Sequence, residues 1–408
     1  MSKVVERFIK YVKYDTRSDE NSATIPTTPG QLELAKDLVK ELEEIGMKEV
    51  CLDKNGYIMA TLPANIDKDI PIVGFIAHMD TSPEVSGANV NPKFVENYSG
   101  EDIILNEEQN IILSPKEFPE LKNYIGKTLI TTDGTTLLGA DNKAGIAEIM
   151  TAMEFLIQNP QVKHGTIKVA FTVDEEVGKI AEYFDVEKFN ADLAYTLDGE
   201  SIGGLEYENF NAASIKITIN GISYHTGKAK GRMINSISIA SELMSMFPKE
   251  ETPENTEGYD GFYHIGSISG RVEETKIQYF IRDFDSKNFE RRKQFIIDLV
   301  QNVNKRYGEG TAVIEITEQY KNMKEKIEAV KYIVDIAIEA MKEVNVFPDV
   351  RPIRGGTDGG KLSHMGLPTP NIFSGGHNIH SKYEYIPTYA MEKAVEVVLK
   401  IVELFAEI

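Results

Sequence analysis

Seven side chains able to act as acid, base or metal ligand lie far apart in this chain: His78, Asp80, Asp141, Glu175, Glu176, Asp198 and His380. Two imidazoles and three carboxylates (His78, His380, Asp141, Glu176, Asp198) make a donor set for a pair of divalent ions. Two such ions bring four positive charges, the three carboxylates supply three negative ones, and a bridging hydroxide closes the balance. Asp141 is the natural bridging ligand. Carboxylate with imidazole suits zinc, with cobalt or manganese as substitutes, giving two ions per subunit. Ions about 3.5–4 Å apart polarise a carbonyl and bring the ionisation of a water near pH ~7. Glu175 is left as the general base that takes the water's proton and hands it to a leaving amine. Asp80 lies two residues beyond His78, on the same face of a strand, where it can orient the imidazole.

These residues need elements that bring them together. Residues 70–77 (IPIVGFIA), 166–173 (TIKVAFTV), 193–197 (LAYTL) and 368–374 are apolar runs of the kind that form strands buried on both faces. His78, Glu176, Asp198 and His380 each follow one of them, so four ligands fall at the C-terminal ends of sheet strands, where open α/β sheets build their sites. Residues 139–158 open a helix with Asp141 or Asn142 near its cap. Residues 31–45 carry apolar side chains at helical spacing, stopped by Gly46. Residues 82–136 show weak periodicity and read as a long excursion. From about Ala212 the pattern changes: Ile215, Ile217 and Ile219 alternate with polar residues, and a β-α-β-β-α-β order follows to about Thr317. The expected architecture is α/β: a mixed-sheet catalytic domain in two parts (residues 1–211 and 321–408) around an inserted ferredoxin-like α+β domain (212–320).

With 408 residues and a net charge of −20, the chain is too large for one core and too acidic for a nucleic-acid or anionic-membrane surface. The single cysteine, Cys51, excludes an internal disulfide, and no apolar run approaches a membrane span; the expected setting is the cytoplasm.

The segments HMDTSPE (78–84), GADNKAGIAEI (139–149), DEEVGK (174–179), YTLDGE (195–200), GISYHTGKAKGRMINS (221–236), QYFIRDFD (278–285), IRGGTDGG (353–360) and GGHNIH (375–380) resemble the M20 family of metallopeptidases over essentially the whole chain. The resemblance implies a zinc exopeptidase with an inserted lid, and specifically the removal of the N-terminal residue from tripeptides. Other M20 activities (dipeptidase, carboxypeptidase, N-acyl amino-acid deacylase) are the nearest alternatives, and a non-catalytic binding relative a more remote one. It implies that His78, Asp141 and Asp198 serve one ion, and that Glu176 and His380 serve the other with Asp141 shared. Asp80 and Glu175 match the catalytic positions. His225 resembles a lid histidine that stabilises the oxyanion, and Arg282 and Arg354 resemble arginines that hold the substrate's C-terminal carboxylate. Asn378, beside His380, is a further expected substrate contact. The partner implied is a short peptide, with a homodimer through the lid as an open possibility. His377 lies close enough to His380 to compete for the ligand role by spacing alone. Glu200-Ser201-Ile202 is bulkier than the glycine expected after Asp198. His164, His264 and His364 lack carboxylate company and read as packed or surface residues.

Overall fold

The apolar runs fold where their periodicity places them. In chain order, α1 (Lys3–Tyr11) and α2 (Pro29–Ile45) lead into β1 (Lys48–Leu52), β2 (Ile58–Leu62) and β3 (Val73–His78). α2 begins on Pro29, where a missing N–H costs nothing, and ends at Gly46, whose φ of 102° few other residues tolerate. Next come β4 (Lys93–Val95), β5 (Ile103–Asn106), β6 (Ile111–Leu113), β7 (Leu129–Thr131), α3 (Ala140–Gln158), β8 (Ile167–Thr172), α4 (Val186–Phe189), β9 (Leu193–Gly199) and β10 (Gly204–Glu206). The structure, a computed structural model, describes residues 1–178 and 183–408. Lys179, the last residue of the 174–179 segment, lies outside them.

The insertion comprises β11 (Asn211–Asn220), α5 (Ser236–Ser245), β12 (Phe262–Arg271), β13 (Glu274–Asp283), α6 (Ser286–Tyr307) and β14 (Ala312–Tyr320). Its antiparallel sheet has the order β12-β13-β11-β14, the ferredoxin-like arrangement expected from the element order. Ile215, Ile217 and Ile219 are fully buried in one core with residues of α5 and α6, while Lys216 between them is exposed. Each buried isoleucine contributes about 1.5–3 kcal/mol, so a one-residue slip of β11, which would turn all three outward, is strongly opposed.

The chain returns through α7 (Lys324–Glu328), α8 (Tyr332–Glu343), β15 (Asp349–Val350), α9 (Asp358–His364), β16 (Asn371–Phe373), β17 (Tyr385–Pro387) and α10 (Thr388–Glu407). Two units result. One is Met1–Tyr207 with Glu325–Arg351 and Lys361–Ile408, and the other is Glu208–Lys324 with Pro352–Gly360. The second therefore begins a few residues before Ala212 and also takes residues 352–360, which sequence alone leaves in the catalytic part. The reason is local. Asn209 pairs with Ile353, Arg354 binds the carbonyls of Thr256, Gly258 and Asp260, and Gly356 abuts the Tyr320 ring so closely that a Cβ would lie 2.8 Å from it.

In the first unit the main sheet has the order β1-β2-β8-β3-β9-β16-β10-β15, and its central strands β8, β3, β9 and β16 are parallel. Their C-terminal ends share one edge. α3 packs on β3 and β9 and also meets α1 and α10, which explains why it is apolar nearly all round: Ala144, Ile146, Ala147, Ile149, Met150 and Met153 are all fully buried. Gly145 permits the approach, since a Cβ there would lie 2.3 Å from the Leu197 carbonyl oxygen. The 82–136 excursion is more ordered than its periodicity suggests. β17, β7 and β4 form a sheet, β5 and β6 a hairpin, and Tyr98, Leu105, Leu113, Leu121, Tyr124 and Tyr385 a small core, against which Ile202 packs.

Among the described residues, both carboxyl oxygens of the buried Glu148 in α3 lack a hydrogen bond, and burial holds this acid well above its ordinary value. A raised folded-state value means that stability is full below the unfolded value of about 4.3 and is lost as pH rises towards the folded one. Glu148→Gln should therefore gain on the parent as pH rises from 5 to 8, by up to about 1.4 kcal/mol per pH unit. Urea midpoints at three pH values measure this, and a gap that does not change with pH contradicts it.

Candidate metal centre

His78 closes β3 with its ring buried, and its two nitrogens face different partners. Nδ1 lies 3.1 Å from the Asp80 carbonyl oxygen and 3.4 Å from Asp80 Oδ1, while Nε2 lies 2.9 Å from Asp141 Oδ1 and 3.3 Å from Asp198 Oδ1. With Nδ1–H donating to Asp80, Nε2 is left as the ligand nitrogen. Asp80 is fully buried and does more than orient this ring: its Oδ1 accepts the Glu175 N–H at 3.0 Å and its Oδ2 the Glu176 N–H at 3.1 Å. One carboxylate thus fixes the His78 imidazole and the backbone of both Glu175 and Glu176.

Asp141 has φ −85° and ψ 106°, outside helical values, and its bond to Asn142 is cis; regular helix begins only beyond this pair. The two carboxylate oxygens face different partners. Oδ1 faces His78, whereas Oδ2 lies 3.1 Å from His380 Nε2, which is itself 2.9 Å from Glu176 Oε2. Two triads result, His78–Asp141–Asp198 and Asp141–Glu176–His380, each with its donor atoms within 4.8 Å of one another. Among the described residues Glu176 Oε1 is buried without a hydrogen-bond partner. An orphaned carboxylate oxygen beside histidine and carboxylate donors fits divalent metal.

The electrostatics agree. Burial pushes Glu175 up to about 7, Glu176 to about 8 and Asp198 to about 6, with neighbouring carboxylates adding to the effect. Burial would lower both imidazoles, but the carboxylates outweigh it. His380 is raised to about 11 by Asp141 and Glu176, and His78 well above its usual range by Asp198 and Asp141. Burial likewise opposes ionisation of Asp141, yet hydrogen bonds from His380 and His78 hold it well below the carboxylate range. The buried carboxylates thus draw positive charge, here from the two imidazoles.

The remaining acid of the 174–176 run has another task. Asp174 (φ 57°) accepts bonds from the Thr27 N–H and hydroxyl and from Gln31 Nε2, tying the strand end to the start of α2. His377 is likewise occupied: its Nε2 bonds the Tyr124 hydroxyl at 2.7 Å, its ring stacks on Tyr385, and burial lowers it to about 4. Asn378 (φ 53°) donates to the Tyr383 carbonyl at 3.2 Å and so shapes the loop that presents His380 (φ 58°).

Two residues of this site escape motif reading. Asn371 Oδ1 accepts the Asp198 N–H at 3.1 Å, and Glu384 accepts backbone N–H groups beside Asp141. Their signal is faint: a polar residue inside an apolar strand, and a glutamate four positions past His380.

The other expected residues lie in the inserted unit. His225 is exposed, and its Nδ1 accepts the Gly227 N–H at 3.2 Å, leaving Nε2 as a donor. Arg282 donates to the Ile281 carbonyl and lies over the Phe280 and Tyr320 rings; among the described residues it has no carboxylate partner, since Asp283 pairs with Arg292 and Asp285 caps α6. Arg354 is taken up by the 256–260 segment.

The Peptidase dimerisation domain family model matches residues 207–311. Peptidase T of Clostridium acetobutylicum is 63% identical over 407 residues, covering 100% of both chains, and peptidase T of Caldanaerobacter subterraneus subsp. tengcongensis is 61% identical with the same coverage. Among solved structures, the aminopeptidase PepT of Bacillus cereus is similar at a TM-score of 0.80 and 25% identity, over 99% of this chain and 98% of that one. A dinuclear metal-binding M20 peptidase of Bacillus subtilis shares the fold at a TM-score of 0.67 and 12% identity, over 99% of this chain and 98% of the other. Full-length identity above 60%, on a fold whose strand ends gather two carboxylate–histidine triads, places this chain in the peptidase T family of M20 peptidases.

Proposed function

We propose that the protein is a two-zinc aminopeptidase that removes the N-terminal residue of tripeptides, with cobalt or manganese as substitute ions. The observation that carries this reading is the pair of triads sharing Asp141, beside a glutamate, Glu175, that belongs to neither. Divalent ions held there would supply Lewis acidity to a scissile carbonyl and to a water beside it. Glu175 takes the proton of the attacking water and delivers it to the leaving amine nitrogen. Asp80 keeps that base in place through its backbone N–H. His225, whose Nε2–H is not taken by Gly227, is the candidate donor to the developing oxyanion, and Arg282, which among the described residues has no carboxylate partner, is the candidate for the substrate's C-terminal carboxylate. A fixed grip on the C-terminus favours one peptide length. Arg354 stands as a secondary contact, because its guanidinium already holds the Thr256, Gly258 and Asp260 carbonyls, and so does Asn378, whose amide holds the Tyr383 carbonyl.

The family match over residues 207–311 supports a homodimer formed through the inserted unit. Among the described residues no helix is long and apolar enough to cross a membrane, and the lone Cys51 fits a reducing cytoplasm.

The test is product identification by mass. Zinc-loaded protein is given a tripeptide of three different residues, its N-acetyl form, and the matching dipeptide and tetrapeptide. Release of the first residue from the free-amine tripeptide alone is the expected result. Release of the last residue, preference for the acetylated peptide, or equal use of the dipeptide overturns it in favour of another M20 activity.

A further inference from the structure

The loop that carries His380 also reaches back to the bridging ligand. Glu384, 1% exposed, accepts the Leu138 N–H at 2.6 Å and the Gly139 N–H at 2.9 Å on Oε2, and the Asp141 N–H at 3.2 Å on Oε1. These three N–H groups precede the regular part of α3. Gly139 has φ 84° and Asp141 is non-helical, so the helix's own ladder does not hold this segment. Glu384 is itself held firmly. Its N–H bonds the Ser381 carbonyl, and the next residue, Tyr385, exchanges backbone bonds with His377 and begins β17, which pairs with β7.

We propose that Glu384 is a positioning residue for Asp141: by anchoring three backbone donors within residues 138–141 it aims the shared carboxylate at both triads at once. A single carbonyl oxygen could accept two of these N–H groups; a carboxylate, with two oxygens, spans all three. The same residue lies four positions from His380, so one loop sets the separation between a ligand of the second triad and the carboxylate shared by both. The inference rests on the two-ion reading above and adds a residue that touches neither ion nor substrate.

Glu384→Gln keeps the size of the side chain but sets an NH2 against one of the donors. Zinc affinity of the full-length protein is measured by competition calorimetry, with bound zinc counted by elemental analysis. The expected result is weakening of both sites by about 10–100-fold, together with a fall in kcat at saturating zinc and little change in KM. Tyr385→Phe, at the adjacent residue whose hydroxyl has no hydrogen-bond partner among the described residues, should bind zinc like the parent. Unchanged zinc affinity at both sites in a variant that only melts earlier would make Glu384 purely structural and overturn the proposal. Weakening confined to one ion would place its action on His380 and overturn it equally. Should Glu384→Gln fail to fold, Glu384→Asp, charged but too short for all three donors, gives the same readout. Failure of the parent to bind two ions would instead sink the two-ion reading itself.

Discussion

Replacing Glu175 by glutamine should leave two ions bound and lower kcat on a tripeptide by on the order of 10²–10⁴, the usual contribution of a positioned general base. That loss corresponds to about 2.7–5.5 kcal/mol of barrier. The reasons are geometric. Glu175 is outside both candidate triads, yet the charges of His78, Asp198, Asp80 and Asp141 all act on its carboxyl, which puts it next to the triads although it belongs to neither. Its backbone is fixed by Asp80 at 3.0 Å, and that bond survives the substitution. The change therefore removes a proton acceptor and little else. Elemental analysis beside steady-state kinetics separates the outcomes. Loss of metal in parallel with activity would make Glu175 a ligand, and unaltered kcat would move the base elsewhere.

Asp141→Asn should have the larger effect on metal. Its two oxygens are divided between His78 Nε2 and His380 Nε2, so an amide, with one oxygen and one NH2, cannot serve both triads. Bound metal is expected to fall from two equivalents to below one. Activity should drop by more than about 100-fold, the upper range for losing even an outer partner of a metal ligand. Asp198→Asn is the comparison, because Asp198 belongs to one triad only. Loss of a single ion in both variants would contradict the shared role of Asp141.

Much of this site was legible in the sequence because strand ends in a parallel sheet meet at one edge. His78, Glu176 and Asp198 follow apolar runs that become β3, β8 and β9, and this forces them together whatever their separation along the chain. The choice between His377 and His380 was not legible from spacing. It turns on the Tyr124 hydroxyl and the Tyr385 ring, which occupy His377 from distant parts of the chain. Asn371 and Glu384 were missed for the same reason. Each acts through a backbone N–H, and such a partner leaves no trace in side-chain patterns. The order within 82–136 was hidden because strands of three or four residues are too short to show a period, and β17, which completes their sheet, comes from near the other end of the chain. The acidic triplet at 174–176 invited one explanation but needs three: Asp174 ties α2 to the sheet, Glu176 meets His380 in a candidate metal triad, and Glu175 stands outside both triads as the proposed base.

The most direct measurement is a titration of metal-free protein with zinc, following bound metal and release of the N-terminal residue of a tripeptide together. Two ions sharing Asp141 predict that cleavage reaches its plateau at two equivalents per chain. A plateau at one equivalent, or cleavage unaffected by removing zinc, would contradict the two-ion account.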